Sequence, residues 1–211
     1  MEIIYSGGYN KHSQKSIENS IIFTYYPYIK HFVKNGKKVA FVTLAKPNGY
    51  YNSLLLPKYE GVAEIIDTTN VNEVSWSTYD LLLLLGGNTI QLVKGLKKNS
   101  FSINNLKDDA IIVGDSAGAY ALSSYFYDSP AGELRGVNVE FYKGLNPDAK
   151  VITVAHKNNL VYCNDALLDK VQNFAPDKDI RVLVLKENEQ KLLEKGNFVE
   201  VDKENLFKLK V

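Results

Sequence analysis

The segment IIVGDSAGAYAL (Ile111–Leu122) sets Ser116 between Gly114 and Gly118, directly after an apolar run. Gly-x-Ser-x-Gly at a strand-to-helix turn is one way a chain exposes a serine hydroxyl for nucleophilic attack. The same serine could simply cap the helix that follows. A serine hydroxyl is a weak nucleophile at neutral pH, so a neutral imidazole must take its proton. The chain has three histidines. Only His156 closes a stretch of strand character, KVITVAH (Lys150–His156). His12 falls in polar YNKHSQKS and His31 inside a segment of helical period, which reads as solvated or structural. A carboxylate should hold the imidazole in the right tautomer and stabilise its protonated form. Between Ser116 and His156 the acids are Asp128, Glu133, Glu140 and Asp148. Asp128, in the turn-rich YFYDSPAG just past the elbow, is the first choice and Glu133 the second, although Asp-Ser-Pro also suits an Asx turn. Asp115, beside the serine, would point away from it. Charge developing on a carbonyl oxygen needs preorganised N–H donors. Ala117, after the serine, and Gly87, in GGNT (Gly86–Thr89), are the candidates.

Positioning such groups requires one edge of a sheet. Continuously apolar runs recur along the chain: EIIYSGG (Glu2–Gly8), KKVAFVTLA (Lys37–Ala45), AEIIDTT (Ala63–Thr69), DLLLLLGGN (Asp80–Asn88), AIIVG (Ala110–Gly114) and KVITVAH (Lys150–His156). Between them lie segments of helical period, among them NSIIFTYYPYIKHFVKNG, TIQLVKGLKKN, SAGAYALSSYF and NDALLDKVQNFA. Apolar strands without alternation suit a sheet buried on both faces. Strand–helix alternation predicts an α/β fold with a doubly wound, mostly parallel sheet flanked by helices. After Arg181, RVLVLKENEQKLLEKGNFVEVD predicts C-terminal β-hairpins at one edge of that sheet. Ligands of such sheets sit outside the carboxyl ends of the strands, where GGNT, Ser116 and His156 all fall. No linker, repeat or low-complexity stretch interrupts residues 1–211, so one domain is expected.

Composition narrows the function. Hydrophobic residues make up 45% and charged residues 23% of 211, ordinary globular values that argue against extensive disorder. A net charge of +1, from 25 basic and 24 acidic residues, gives no electrostatic case for nucleic acid. The longest apolar run, Leu81–Leu85, is too short to span a bilayer, and the N-terminus lacks a signal-peptide pattern. A cytoplasmic setting is the expectation. The lone Cys163 excludes an internal disulfide and most cysteine-based metal sites, and in LVYCN it reads as a buried thiol. No cofactor and no metal are expected.

LLLLLGGNTIQLVKGL followed by IIVGDSAGAYAL, and then GLNPDAKVITVAH, resembles the dipeptidase E and cyanophycinase group of serine peptidases. The likeness extends through the strand-rich tail and covers nearly the whole chain. It implies a fold similar to class I glutamine amidotransferases, with a serine replacing their nucleophilic cysteine. It further implies Ser116 as nucleophile, His156 as base, Asp128 as third member, Gly87 and Ala117 as oxyanion donors, and Asn88 and Thr89 as parts of the substrate site. It implies a small peptide as the substrate, of the Asp-x type that dipeptidase E cleaves or one related to it. The sequence departs from the group in one respect. Its Gly-Glu-Thr-Arg-type segment after the histidine is replaced here by HKNNLVYCNDALLDK, without arginine. Lys157 is a substitute charge or a solvated loop residue. Two other readings stand beside this one: a non-catalytic binding or regulatory homologue of the same fold, and an α/β-hydrolase-type esterase. The chain would act as a monomer or homodimer.

Overall fold

A computed structural model describes residues 1–9, 25–202 and 204, apart from the side chains of Asn52, Ser53 and Glu133. The molecule is α/β, built on a mixed seven-stranded sheet and a second, four-stranded sheet. The large sheet is formed by β1 (Glu2–Ser6), β2 (Val39–Val42), β3 (Glu64–Ile66), β4 (Leu81–Leu84), β5 (Ile111–Asp115), β10 (Gln190–Glu194) and β11 (Asn197–Glu200). Its order is β11-β10-β1-β5-β4-β2-β3. The five strands from β1 to β3 in that order run parallel, and the β10–β11 hairpin adds antiparallel to β1. The tail therefore supplies an edge hairpin, as its sequence predicts.

The apolar runs have a direct structural cause. Along β4, Leu82 and Leu84 join one buried cluster while Leu81 and Leu83 join another, on the opposite face. Successive side chains of a strand point to opposite faces, so a sheet covered on both sides needs apolar residues at every position. One face is covered by α1 (Tyr26–Lys34) through Ile29 and Phe32, and by α2 (Asn52–Tyr59) through Leu55 and Tyr59. The other face carries α3 (Thr89–Lys98), the short α4 (Ala117–Ala121), α5 (Asp165–Phe174) and the second sheet. Asn88 and Asn164 cap α3 and α5 by accepting from Gln91 N and Leu167 N.

The second sheet departs from the sequence reading. It consists of β6 (Tyr125–Asp128), β7 (Glu140–Lys143), β8 (Val151–Val154) and β9 (Arg181–Val184), in the order β7-β6-β8-β9. The helix after Ser116 is five residues long, and Tyr125–Asp128, expected as the last two residues of that helix followed by a turn-rich loop, is a strand. β8, expected in the main sheet, pairs with β6 and β9 instead. β9 is likewise no hairpin strand, because it runs parallel to β8. Of the first predicted helix, residues 19–24 lie outside the described residues, as does His12. His31 is exposed on α1, and Cys163 is buried at 1% exposure, both as expected. Among the described residues, no helix is long and apolar enough to cross a membrane.

Candidate active site

Ser116 follows β5 directly, and its backbone (φ 51°, ψ −105°) occupies a region that residues with a side chain rarely adopt. Such a conformation costs about 1–3 kcal/mol and persists only where neighbours enforce it. Two bonds do so: Ser116 N–H donates to Ser6 O at 3.1 Å, and Tyr120 N–H to Ser116 O at 3.0 Å. The flanking glycines have a packing reason. A Cβ on Gly118 would lie 2.1 Å from Leu84 O, and one on Gly114 would lie 2.5 Å from the Gly118 carbonyl carbon. Helix α4 thus rests on β4 and β5 with no room for a methyl group, which turns the chain sharply enough to expose the serine.

His156 Nε2 lies 3.0 Å from Ser116 Oγ, and its Nδ1 lies 3.0 Å from Glu187 Oε1. The imidazole and carboxylate side chains are only 12% and 4% exposed. With Nδ1–H donated to a carboxylate, Nε2 carries the lone pair that accepts the serine proton. Asn159 Nδ2 donates to the same Oε1 at 2.9 Å, and Glu187 N–H donates to Asn158 Oδ1 at 2.7 Å. The loop carrying Glu187 is braced from β1 as well, through Asn188 N–H to Gly8 O at 2.7 Å and Gly7 N–H to Glu189 O at 2.9 Å. His156 N–H donates to Gly7 O at 3.1 Å, tying the carboxyl ends of β8 and β1 together across the two sheets. Gly8, at φ +84°, lies so close to the ring that a Cβ there would meet His156 Cε1 at 2.4 Å. Tyr162 covers another side, with ring centroids 4.9 Å apart.

The carboxylate on the histidine is therefore Glu187 and not Asp128. Asp128 ends β6 exposed and lines the same cavity without bonding to His156. The physical reason is strand pairing. β8 and β9 are parallel neighbours with Val154 opposite Val184, so residues just past their carboxyl ends emerge side by side. Glu133, the second choice, belongs to the turn Gly132–Leu134, and its side chain lies outside the described residues. The signal for Glu187 was present in KENE after the apolar RVLVL, but it lies beyond His156 in sequence.

Ala117 follows the serine and Gly87 (φ +144°) lines the same cavity, and neither N–H donates to a backbone carbonyl among the described residues. A side chain at Gly87 would strike Ala45 O at 2.2 Å. Asn88 and Thr89 line the cavity too, but Asn88 Oδ1 is occupied by the cap of α3, accepting from Gln91 N–H at 2.8 Å. Lys157 faces Asp165 instead, with Nζ 3.8 Å from its Oδ1.

These groups open into a cavity of about 310 Å3. That is at the small end for ligand pockets and suits a molecule of one or two residues. Tyrosines line much of it, including Tyr50, Tyr51 and Tyr162. Beneath the serine, Asp115 is 2% exposed and accepts from Ser6 Oγ at 3.0 Å. Burial pushes its carboxyl up to about 7, against the lowering effect of the Ser6 bond. Sequence reasoning set Asp115 aside and also missed Arg135, which lines the cavity from the loop between β6 and β7. No group of His, Cys, Asp and Glu suited to a metal occurs among the described residues. Comparison of the chain with protein-family models and with curated proteins finds no match.

Proposed function

We propose that the protein is a cofactor-independent serine peptidase that hydrolyses small peptides. The observation carrying this reading is the unbroken chain of hydrogen bonds from Ser116 Oγ through His156 to the buried Glu187 carboxylate. In the reaction, His156 Nε2 takes the hydroxyl proton as Ser116 Oγ attacks the scissile carbonyl carbon. Glu187 holds the ring and stabilises the imidazolium that forms. The N–H groups of Gly87 and Ala117 receive the negative charge on the carbonyl oxygen. The imidazolium then protonates the leaving amine, and water releases the acyl group from Ser116 by the same route.

The elbow, GGNT and the edge hairpin are features in which the chain resembles the dipeptidase E and cyanophycinase group. We place it in that group, with its doubly wound, class I glutamine amidotransferase-like architecture. Its setting in this reading is the cytoplasm, and its partner a small peptide met as a monomer or homodimer, with neither nucleic acid nor membrane involved. The non-catalytic alternative gives no reason for a strained serine held against an imidazole with a buried carboxylate behind it. The α/β-hydrolase-type esterase alternative would cleave esters with the same kind of serine, but that type carries its acid between serine and histidine, whereas Glu187 follows His156.

The test is a mixture of dipeptides, Asp-x and isoAsp-x members included, incubated with the parent protein and with Ser116→Ala and followed by mass spectrometry. Cleavage by the parent alone is expected. Hydrolysis retained by Ser116→Ala would sink the proposal, and short acyl esters turned over far faster than any dipeptide would favour the esterase.

A further inference from the structure

Arg135 is one of only two arginines in the chain, and it is 8% exposed. Its Nε–H donates to Tyr162 O at 2.6 Å and its Nη1 to Ser129 O at 2.7 Å, with Pro130 O at 3.5 Å. The guanidinium also sits against the Tyr127 ring, 5.4 Å from its centroid. These contacts clamp the side chain between the loop after β6 and the turn after His156. Among the described residues its Nη2 makes no hydrogen bond, and no carboxylate forms an ion pair with it. Asp128, in the same cavity, does not reach it. A guanidinium taken out of water without a counter-charge is expensive. Neutral carbonyls satisfy its donors on one side only, and the protein keeps it in the wall of the cavity that contains Ser116 and His156.

From this we infer that Arg135 is the anchor for a carboxylate of the bound molecule. An Nη2 group on a rigidly held guanidinium is suited to carboxylate oxygens, and the ligand's negative charge supplies what the protein omits. The residue would then set specificity from the β6–β7 loop, since the segment after His156 brings no arginine. That the carboxylate belongs to a substrate rests on the serine-peptidase reading; the presence of a carboxylate site at Arg135 does not. Two sources share this chemistry, an acidic side chain on the acyl side of the scissile bond and the C-terminal carboxylate of a dipeptide. The cavity is small enough for either to reach.

The experiment reads the guanidinium itself. With two arginines, the Nε–H region of a nitrogen–proton correlation spectrum holds two side-chain signals, and Arg181→Lys, on the exposed edge of β9, removes one and so assigns the other. The Ser116→Ala protein, which preserves ligands from turnover, is titrated with Asp-Ala, Asn-Ala, Asp-Ala amide and Asn-Ala amide. The expected result is a shift of the Arg135 signal with Asp-Ala, at a Kd at least tenfold below that for Asn-Ala amide. A shift that persists with Asp-Ala amide and vanishes with Asn-Ala assigns the side-chain carboxylate; the reverse assigns the C-terminal one. Either supports the proposal. An Arg135 signal unmoved by all four peptides, or moved equally by Asn-Ala amide, overturns it. Because the readout is binding, a chain that binds carboxylates at Arg135 yet hydrolyses nothing would refute the enzymatic reading and leave this site standing.

Discussion

Ser116, His156 and Glu187 arrive at one point from three different loops, and each is held there by backbone bonds that do not involve the other two. The Glu187 carboxylate bonds to the imidazole and to Asn159 and not to Ser116, so it acts on the reaction through the histidine. Glu187→Gln keeps the shape and loses the charge. It should lower kcat by roughly 10²–10⁴-fold with KM nearly unchanged, whereas Asp128→Asn should stay within about threefold of the parent. Steady-state kinetics on one cleaved dipeptide separate the two, and the opposite pattern would restore Asp128 as the acid. Ser116 and His156 were legible because each follows an apolar run that could only be a strand. Glu187 was not, because a search confined to the interval between nucleophile and histidine assumes an order, Ser–acid–His, that strand pairing does not require. The parallel contact of β8 with β9 sets the order Ser–His–Glu, and that contact joins residues about thirty positions apart.

Among the elements, the tightest junction is α4 against β4 and β5. Gly118 sits where a Cβ would meet a backbone carbonyl at 2.1 Å, and backbone in a buried sheet cannot yield. Gly118→Ala should therefore cost about 2–4 kcal/mol of unfolding free energy, measured by urea denaturation; a loss below about 0.5 kcal/mol, as at an ordinary surface site, would mean the helix is free to shift. The strands of the main sheet were readable from continuous apolarity, since both of its faces are covered. β6 and β7 were not. Tyr125–Asp128 and Glu140–Lys143 are short, aromatic and only partly buried. The first of them also begins inside SAGAYALSSYF, which reads as one helical segment. Only the early end of α4, after five residues, frees that segment to pair with β8, and this shortening follows from tertiary packing more than from local preference.

At the scale of the molecule, one buried apolar cluster runs from the large sheet through α3, α4 and α5 into the small one. Charge is scarce inside it, which makes Asp115 consequential. Its carboxyl is raised by burial from 3.8 to about 7. Between about pH 4 and about 7 the folded protein keeps a proton that the unfolded chain has released. Stability therefore falls as pH rises through that window and levels off above it. The ceiling on this contribution is ~4 kcal/mol. Asp115→Asn removes the titration while keeping a partner for Ser6. Relative to the parent, the variant should gain stability on going from pH 5 to pH 8, as read by urea unfolding at both values. Equal pH dependence in the two proteins would show that Asp115 stays ionised throughout. The α/β class was evident from the alternation of runs. The division into two sheets was not, because apolar runs mark strands without saying which neighbours they pair with.

The central claim is that Ser116 is a nucleophile activated by His156. It is tested most directly by exposing the parent protein to a small fluorophosphonate and locating the adduct by peptide mass spectrometry, with His156→Ala alongside. The account predicts a single phosphonyl group on Ser116 Oγ in the parent and little or none in the variant. A folded parent that stays unmodified at Ser116, or that reacts equally fast without the imidazole, would contradict it.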